Sequence, residues 1–137
     1  MLIPKKVKHR KWQKGRSRKR QAETRGLTLS HGSFGLQALE AKYLNSKQIE
    51  AARKTLTNFI KREGKIWIRV FPDKPVTQRP PEVTMGGGKG NVDHYVFSVK
   101  PGRVIFEMDG VSEATAERAL KLAGFKLPFK TRIIKKS

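Results

Sequence analysis

The stretch NSKQIEAARKTLTNFIKREGKIWIRVF, residues 45–71, decides the class of fold because its hydrophobic period changes in the middle. In its first half, apolar residues recur every three or four positions, which is typical of a helix with one buried face. The residues on that face are Ile49, Ala52, Leu56, Phe59 and Ile60. Asn45 and Gln48 have the spacing of a capping box, so we expect the helix to begin after Asn45 and Gly64 to end it.

The second half, KIWIRVF, alternates between two faces, as a β-strand must. The residues predicted to point into the core are Ile66, Ile68 and Val70, and those on the opposite face are Trp67, Arg69 and Phe71. Because Arg69 is predicted to point away from the core, it is a candidate for binding an anionic partner.

Further strands are predicted at residues 27–29, 34–39, 92–99, 103–108 and 131–134. The turn dipeptide Pro101-Gly102 lies between two of them, so we expect strands 92–99 and 103–108 to pair as a hairpin. A second helix is expected after Ser112, with Gly124 closing it. Its predicted core face consists of Ala116, Ala119, Leu120 and Ala123. Two helices packed on one face of a mostly antiparallel sheet make an α+β domain.

Residues 72–91 separate two of the predicted strands and are expected to form a long loop without a core. They contain Pro72, Pro75, Pro80, Pro81, Gly86, Gly87, Gly88 and Gly90. A loop of this length in a small domain is usually functional or disordered, and its prolines predict a stiff stem that carries a glycine-rich tip.

The tip, VTMGGGKGNV at residues 83–92, has the composition of a phosphate cradle. A nucleotide-binding P-loop needs glycine where Val83 stands and Ser or Thr where Gly90 stands, and the dinucleotide fingerprint fails in either register. The sequence after the loop also reads as a strand, whereas both motifs open a helix. We therefore interpret the loop as a site for a phosphate other than that of a free nucleotide.

The chain is strongly basic, with 31 Lys and Arg against 11 Asp and Glu and a net charge of +20. Such an excess repels itself unless a polyanion neutralises it, which predicts a nucleic-acid partner. Eleven of the cations and one acidic residue fall in residues 1–30, without an apolar period. We therefore divide the chain into a basic RNA-binding extension, residues 1–26, and an α+β domain, residues 27–137. Trp12 within the extension can stack on a base or pack against the domain.

Other classes of site have little support in the sequence. The chain has no cysteine, and His9, His31 and His94 lack metal-ligand spacing, so no metal or cofactor is expected. The longest apolar run is cut by Arg69, so neither a membrane span nor a secretory signal is predicted. Nothing in the sequence indicates a homo-oligomer.

Several of these segments together resemble a known family, the bacterial-type large-subunit ribosomal protein L-sixteen family (universal L-sixteen/L-ten-e). The matching segments are MLIPKKVKHRKWQKGRSR, HGSFGLQALEA, QIEAARK, GKIWIRVFPDKPVT, MGGGKGNV, PGRVIFEMDGV and KLPFKT. They cover nearly the whole chain, and GKIWIRVFPDKP in combination with the glycine-rich run is highly specific.

The resemblance implies a non-catalytic protein of the large subunit that binds ribosomal RNA beside the aminoacyl-tRNA site, next to other ribosomal proteins. The implied rRNA-binding residues are Lys5, Lys6, Lys8, Arg10, Lys11, Lys14, Arg16, Arg18, Lys19 and Arg20, to which the strand pattern adds Arg69. The implied tRNA-proximal residues are Arg79, Met85, Gly86, Gly87, Gly88, Lys89, Gly90 and Asn91. The implied location is the cytoplasmic ribosome, with an organellar ribosome left open.

The chain departs from the family pattern at the loop tip. Thr84 stands where family members typically carry Arg, and Gly87 stands where they carry Lys. The tip is therefore less basic by two charges, and we expect weaker phosphate contact there. Residues 19–31 also follow the family poorly.

Two alternatives belong to other classes of function. An enzyme would need paired carboxylates or a nucleophile with a base, yet Asp73, Glu82 and Asp93 are scattered around the predicted loop. A free-standing RNA-binding module is favoured only by the GGKG run, which satisfies the four-residue clamp of KH domains but is flanked here by strands.

Overall fold

Two antiparallel sheets and two helices make up the described part of the chain. The structure is a computed structural model that describes residues 2–5, 26–61, 63–78 and 91–136. The elements in chain order are β1 (Phe34–Ala38), β2 (Lys42–Asn45), α1 (Ser46–Ile60), β3 (Lys65–Ile68), β4 (Lys74–Gln78), β5 (Asn91–Val99), β6 (Val104–Asp109), α2 (Glu113–Gly124) and β7 (Thr131–Lys135). The α+β class predicted from the sequence is confirmed.

The strands divide into a four-stranded sheet in the order β3-β6-β1-β7 and a three-stranded sheet in the order β2-β5-β4. The predicted hairpin of residues 92–99 with 103–108 is therefore wrong, because β5 and β6 belong to different sheets. The turn between them does form, with Gly102 at a φ of 98°. The Gly102 N–H donates to the carbonyl of Ala38 at 2.8 Å, so the turn is hydrogen-bonded to the last residue of β1, with which β6 then pairs.

Helix α1 begins as the sequence predicts and ends slightly earlier. The side chain of Asn45 accepts a hydrogen bond from the Gln48 N–H at 2.9 Å, and the Gln48 side chain accepts one from the Asn45 N–H at 3.0 Å. Lys61, in a left-handed conformation, caps the other end, so Gly64 does not terminate the helix. Gly64 instead lies in the turn before β3, at a φ of 74°.

The core lies between the helices and one face of the four-stranded sheet. Helix α1 buries Ile49, Ala52, Leu56 and Ile60, and α2 buries Ala116, Ala119, Leu120 and Ala123. Phe59 is only partly buried and packs at the edge of the core. Phe106 and Met108 of the central strand β6 are completely buried, and Ile66 and Ile68 of β3 pack against them. The predicted alternation of β3 is confirmed.

Two further expectations need correction. Residues 27–29 form no strand, because the backbone that follows them is held by a side chain of β6, as described below. The loop predicted at residues 72–91 contains a strand, β4, in which Pro75 pairs with Tyr95. Proline is tolerated there because β4 is an edge strand, where a missing N–H removes no ladder bond. The last strand, predicted at 131–134, is present as β7.

Candidate nucleic-acid interface

The described surface is rich in exposed cations. Fourteen Lys and Arg residues are exposed, against four acidic residues, Glu63, Asp73, Glu113 and Glu117. The exposed cations are Lys5, Lys42, Lys47, Lys54, Lys61, Lys65, Lys100, Arg118, Lys121, Lys126, Lys130, Arg132, Lys135 and Lys136. Not all of this positive charge is available to a ligand, because Lys135 forms an ion pair with Glu113. The excess nevertheless gives the domain a positive surface of the kind that phosphate backbones bind.

A buried carboxylate organises the sheet face that lies opposite the helices. Glu107, in the middle of β6, is 0 % exposed. Its Oε1 accepts hydrogen bonds from the backbone N–H groups of Ser30 and His31 at 2.8 Å and of Gly32 at 3.0 Å. Three donors on one oxygen fix the backbone of residues 30–32 across the sheet.

Arg69 completes the coordination of the same carboxylate. Its guanidinium forms an ion pair with Oε2 of Glu107 and donates to the carbonyl of Thr28 at 3.3 Å. Burial opposes ionisation of Glu107, but the hydrogen bonds from Gly32, His31, Arg69 and Ser30 outweigh it and hold the pKa of the Glu107 carboxyl below its usual range. The carboxylate is therefore ionised at neutral pH.

The structure places Arg69 on the face that the sequence predicts but gives its guanidinium an internal partner. The side chain is 18 % exposed. The sequence predicts that Arg69 matters more for binding an anionic ligand than for folding, whereas the ion pair with Glu107 makes it part of the fold. Contact of Arg69 with RNA stays a prediction.

A stacked aromatic pair lies on this face and was not singled out as a site from the sequence. The rings of His31 and Trp67 have centroids 5.7 Å apart and an interplanar angle of 20°. Trp67 is the cross-strand neighbour of Glu107, and the same Glu107 holds the His31 backbone. The one signal for it in the sequence is the alternation that predicts Trp67 on the face away from the core. The ring of His31 is on an exposed residue, so the pair is open to solvent on that side.

Of the rRNA-binding residues predicted in the N-terminal extension, the structure describes Lys5 alone, and this side chain is exposed. Close to it, Leu2 packs against the core and lines a surface groove of about 380 Å³ together with Phe97 and Arg103. The carbonyl of Gly26 accepts a hydrogen bond from the Val104 N–H at 2.8 Å. The other predicted positions, Lys6, Lys8, Arg10, Lys11, Lys14, Arg16, Arg18, Lys19 and Arg20, lie outside the described residues.

Of the tRNA-proximal residues, the structure describes the backbone of Asn91 alone. Asn91 is the first residue of β5 and pairs with Gln78, the last residue of β4. The twelve residues 79–90 therefore connect two neighbouring antiparallel strands. The predicted positions Arg79, Met85, Gly86, Gly87, Gly88, Lys89 and Gly90 belong to this connection and lie outside the described residues, as does Thr84.

Within the described ranges, no group of three His, Asp or Glu side chains is arranged to hold a metal ion. Neither α1 nor α2 has the length and apolar character needed to cross a membrane.

The sequence of the chain matches a protein-family model over almost its whole length. The family model described as ribosomal protein L16p/L10e matches residues 4–134 of the 137. The match spans both sheets, both helices and the two segments that carry the predicted RNA-binding residues. Proteins of this family are structural, non-enzymatic components of the ribosome. The chain belongs to the ribosomal protein L16p/L10e family and is a structural protein of the large ribosomal subunit.

Proposed function

We propose that this large-subunit protein binds ribosomal RNA through its basic N-terminal extension and its positive surface, and that it helps to shape the aminoacyl-tRNA site. The observation that carries the proposal is the family match over residues 4–134 in a chain with a net charge of +20. The exposed cations of the described surface support it, because phosphate contacts by Lys and Arg supply most of the affinity for RNA backbone.

The β4–β5 ribbon supports a role for the loop in contacting tRNA. Gln78 pairs with Asn91 where the two strands end, so residues 79–90 connect two strands that are hydrogen-bonded to each other, and β5 joins them to β2. A functional segment is positioned more accurately when both of its ends are fixed by strands. Lys89 is the only cation within residues 83–92, and we propose that it supplies the electrostatic attraction at the tip.

The rRNA part of the proposal is tested by the salt dependence of binding to a large-subunit rRNA transcript. If about six cations meet phosphates, affinity should fall roughly 10³-fold between about 50 and 200 mM salt. A variant with Gln at Lys6, Lys8, Arg10 and Lys11 keeps Leu2, which packs on the core, and should show a shallower slope. Neutralising Lys42, Lys47, Lys54 and Lys61 removes the same charge from the domain surface, and we expect it to flatten the slope less than the extension variant does. Equal slopes for the extension variant and the wild type would contradict the assignment.

The tRNA part is tested by the rate of aminoacyl-tRNA accommodation on ribosomes reconstituted with Lys89→Ala. We expect slower accommodation at unchanged occupancy of the subunit, and partial recovery when Thr84→Arg and Gly87→Lys restore charge. Equal rates for wild type and Lys89→Ala would show that the loop positions nothing through charge.

The alternative of a free-standing RNA-binding module makes a different prediction. Such a module would leave large subunits during a salt wash, whereas an integral subunit protein stays with them.

A further inference from the structure

We infer that the His31–Trp67 pair is a stacking site for an unpaired RNA base. This inference rests on the proposed binding of RNA and adds to it a site formed by residues of the described domain, which belong neither to the basic extension nor to residues 79–90.

The geometry of the pair is that of a preformed platform. The two rings are nearly parallel, with an interplanar angle of 20° and centroids 5.7 Å apart. His31 is exposed, while Trp67 is partly buried beside the sheet and supports it from below. A base that stacks on the outer face of the His31 ring would extend a stack that already exists, so no aromatic ring has to be ordered on binding.

The His31–Trp67 pair is positioned by backbone contacts that do not involve its two rings. The His31 N–H donates to the Glu107 carboxylate at 2.8 Å, and Trp67 is anchored on β3 directly across from Glu107. The hydrogen bond therefore fixes the backbone of His31 without involving its ring. A change of the His31 side chain leaves that backbone hydrogen bond in place, which allows stacking to be tested without breaking the fold.

The surroundings fit an RNA ligand better than an apolar one. Lys65 lies two residues before Trp67 on the same face of β3 and is exposed, so a cation is available for the phosphate next to the stacked base. Stacking of a base on an aromatic ring contributes enough binding free energy to change the affinity for RNA by about 10-fold. It does so with little preference for the RNA sequence. An unpaired base is required because the bases of a duplex have no free face.

The test uses the fluorescence of Trp67 in the full chain with Trp12→Phe, which leaves Trp67 as the only tryptophan. Single-stranded RNA at saturation should change the fluorescence of Trp67, because a base on His31 extends the stack that contains Trp67, and inorganic polyphosphate bound to the same saturation should not. His31→Ala should weaken binding of the single-stranded RNA by about 10-fold, His31→Phe should restore it, and binding of polyphosphate should be the same for all three proteins. Phe125→Ala, which removes an aromatic ring that is 72 % exposed at the end of α2, is the matched control and should bind like the wild type.

The outcomes separate this inference from the function on which it rests. RNA binding that leaves Trp67 fluorescence unchanged, or equal affinity for His31→Ala and wild type, would overturn the stacking site and leave the proposed rRNA binding intact. Failure of the wild type to bind RNA at all would overturn both.

Discussion

Glu107 and Arg69 are 38 residues apart in the sequence and form an ion pair on the sheet face opposite the helices. The carboxylate of Glu107 is completely buried, and its other oxygen holds the backbone of residues 30–32. One side chain of the central strand β6 thus fixes both an edge strand and the segment that leads into the domain from the basic extension. Replacing Glu107 or Arg69 should therefore destabilise the fold and disturb the surface that residues 30–32 form.

Glu107→Ala should lower the free energy of unfolding by about 3–5 kcal/mol, because it leaves the Arg69 charge and three backbone N–H groups without their acceptor. Urea unfolding of the isolated protein measures this. Glu113→Ala is the control, since its pair with Lys135 is exposed on both sides and should contribute no more than about 1 kcal/mol. Similar losses for the two variants would mean that the Glu107 network does not stabilise the fold.

The stability contributed by Glu107 should depend on pH in a defined direction. Its folded-state pKa is lowered by the hydrogen bonds that overcome burial, so its contribution is complete above the unfolded pKa of about 4.3 and is lost as the pH falls through the folded value. The difference in unfolding free energy between wild type and Glu107→Gln should therefore shrink as the pH is lowered below about 4.3. A difference that stays constant from neutral to strongly acidic pH would contradict this account of Glu107.

Arg69→Ala should destabilise the protein, in contrast to what its predicted position on an open strand face suggests. The change leaves a buried carboxylate with its three backbone donors but without its counter-charge, so we expect a loss of about 3 kcal/mol. Arg53→Ala removes an arginine from a helix-surface pair with Glu50 and should cost about 0.5 kcal/mol or less. Thermal unfolding of the two variants compares them directly, and an Arg69→Ala protein as stable as Arg53→Ala would show that the ion pair is dispensable.

Gly64→Ala should be poorly tolerated. Gly64 has a φ of 74°, and a Cβ at this position would lie 2.3 Å from the carbonyl oxygen of Asp109. The left-handed conformation alone costs an L-residue about 1–2 kcal/mol, and the contact with backbone adds to it. Gly124→Ala is the comparison, because Gly124 is helical and its nearest obstacle is the hydroxyl of Thr131, which can rotate. Unfolding curves in which Gly124→Ala loses more stability than Gly64→Ala would reject this explanation.

Local features of the sequence predicted the helices well. The capping box of Asn45 and Gln48 and the buried face of α1 depend on residues within four positions of one another, and the structure confirms both. The alternation of β3 is local in the same sense. For these elements the period of apolar residues was sufficient.

The features that the sequence did not predict depend on distant parts of the chain. Alternation makes 92–99 and 103–108 strands but does not say that they join different sheets. The edge position of β4, which allows Pro75 to lie in a strand, could not be predicted from the sequence. Nor did the sequence indicate that Glu107 would be buried with Arg69 as its partner. The stack of His31 on Trp67 follows from the same burial, since Glu107 fixes the His31 backbone.

The most direct test of the proposed rRNA binding is the amount of this chain in large ribosomal subunits after a high-salt wash, measured by quantitative mass spectrometry. The account predicts close to one copy per subunit, retained through the wash and released only when the subunit is unfolded. Recovery of most of the chain in the ribosome-free fraction would contradict the proposed rRNA binding.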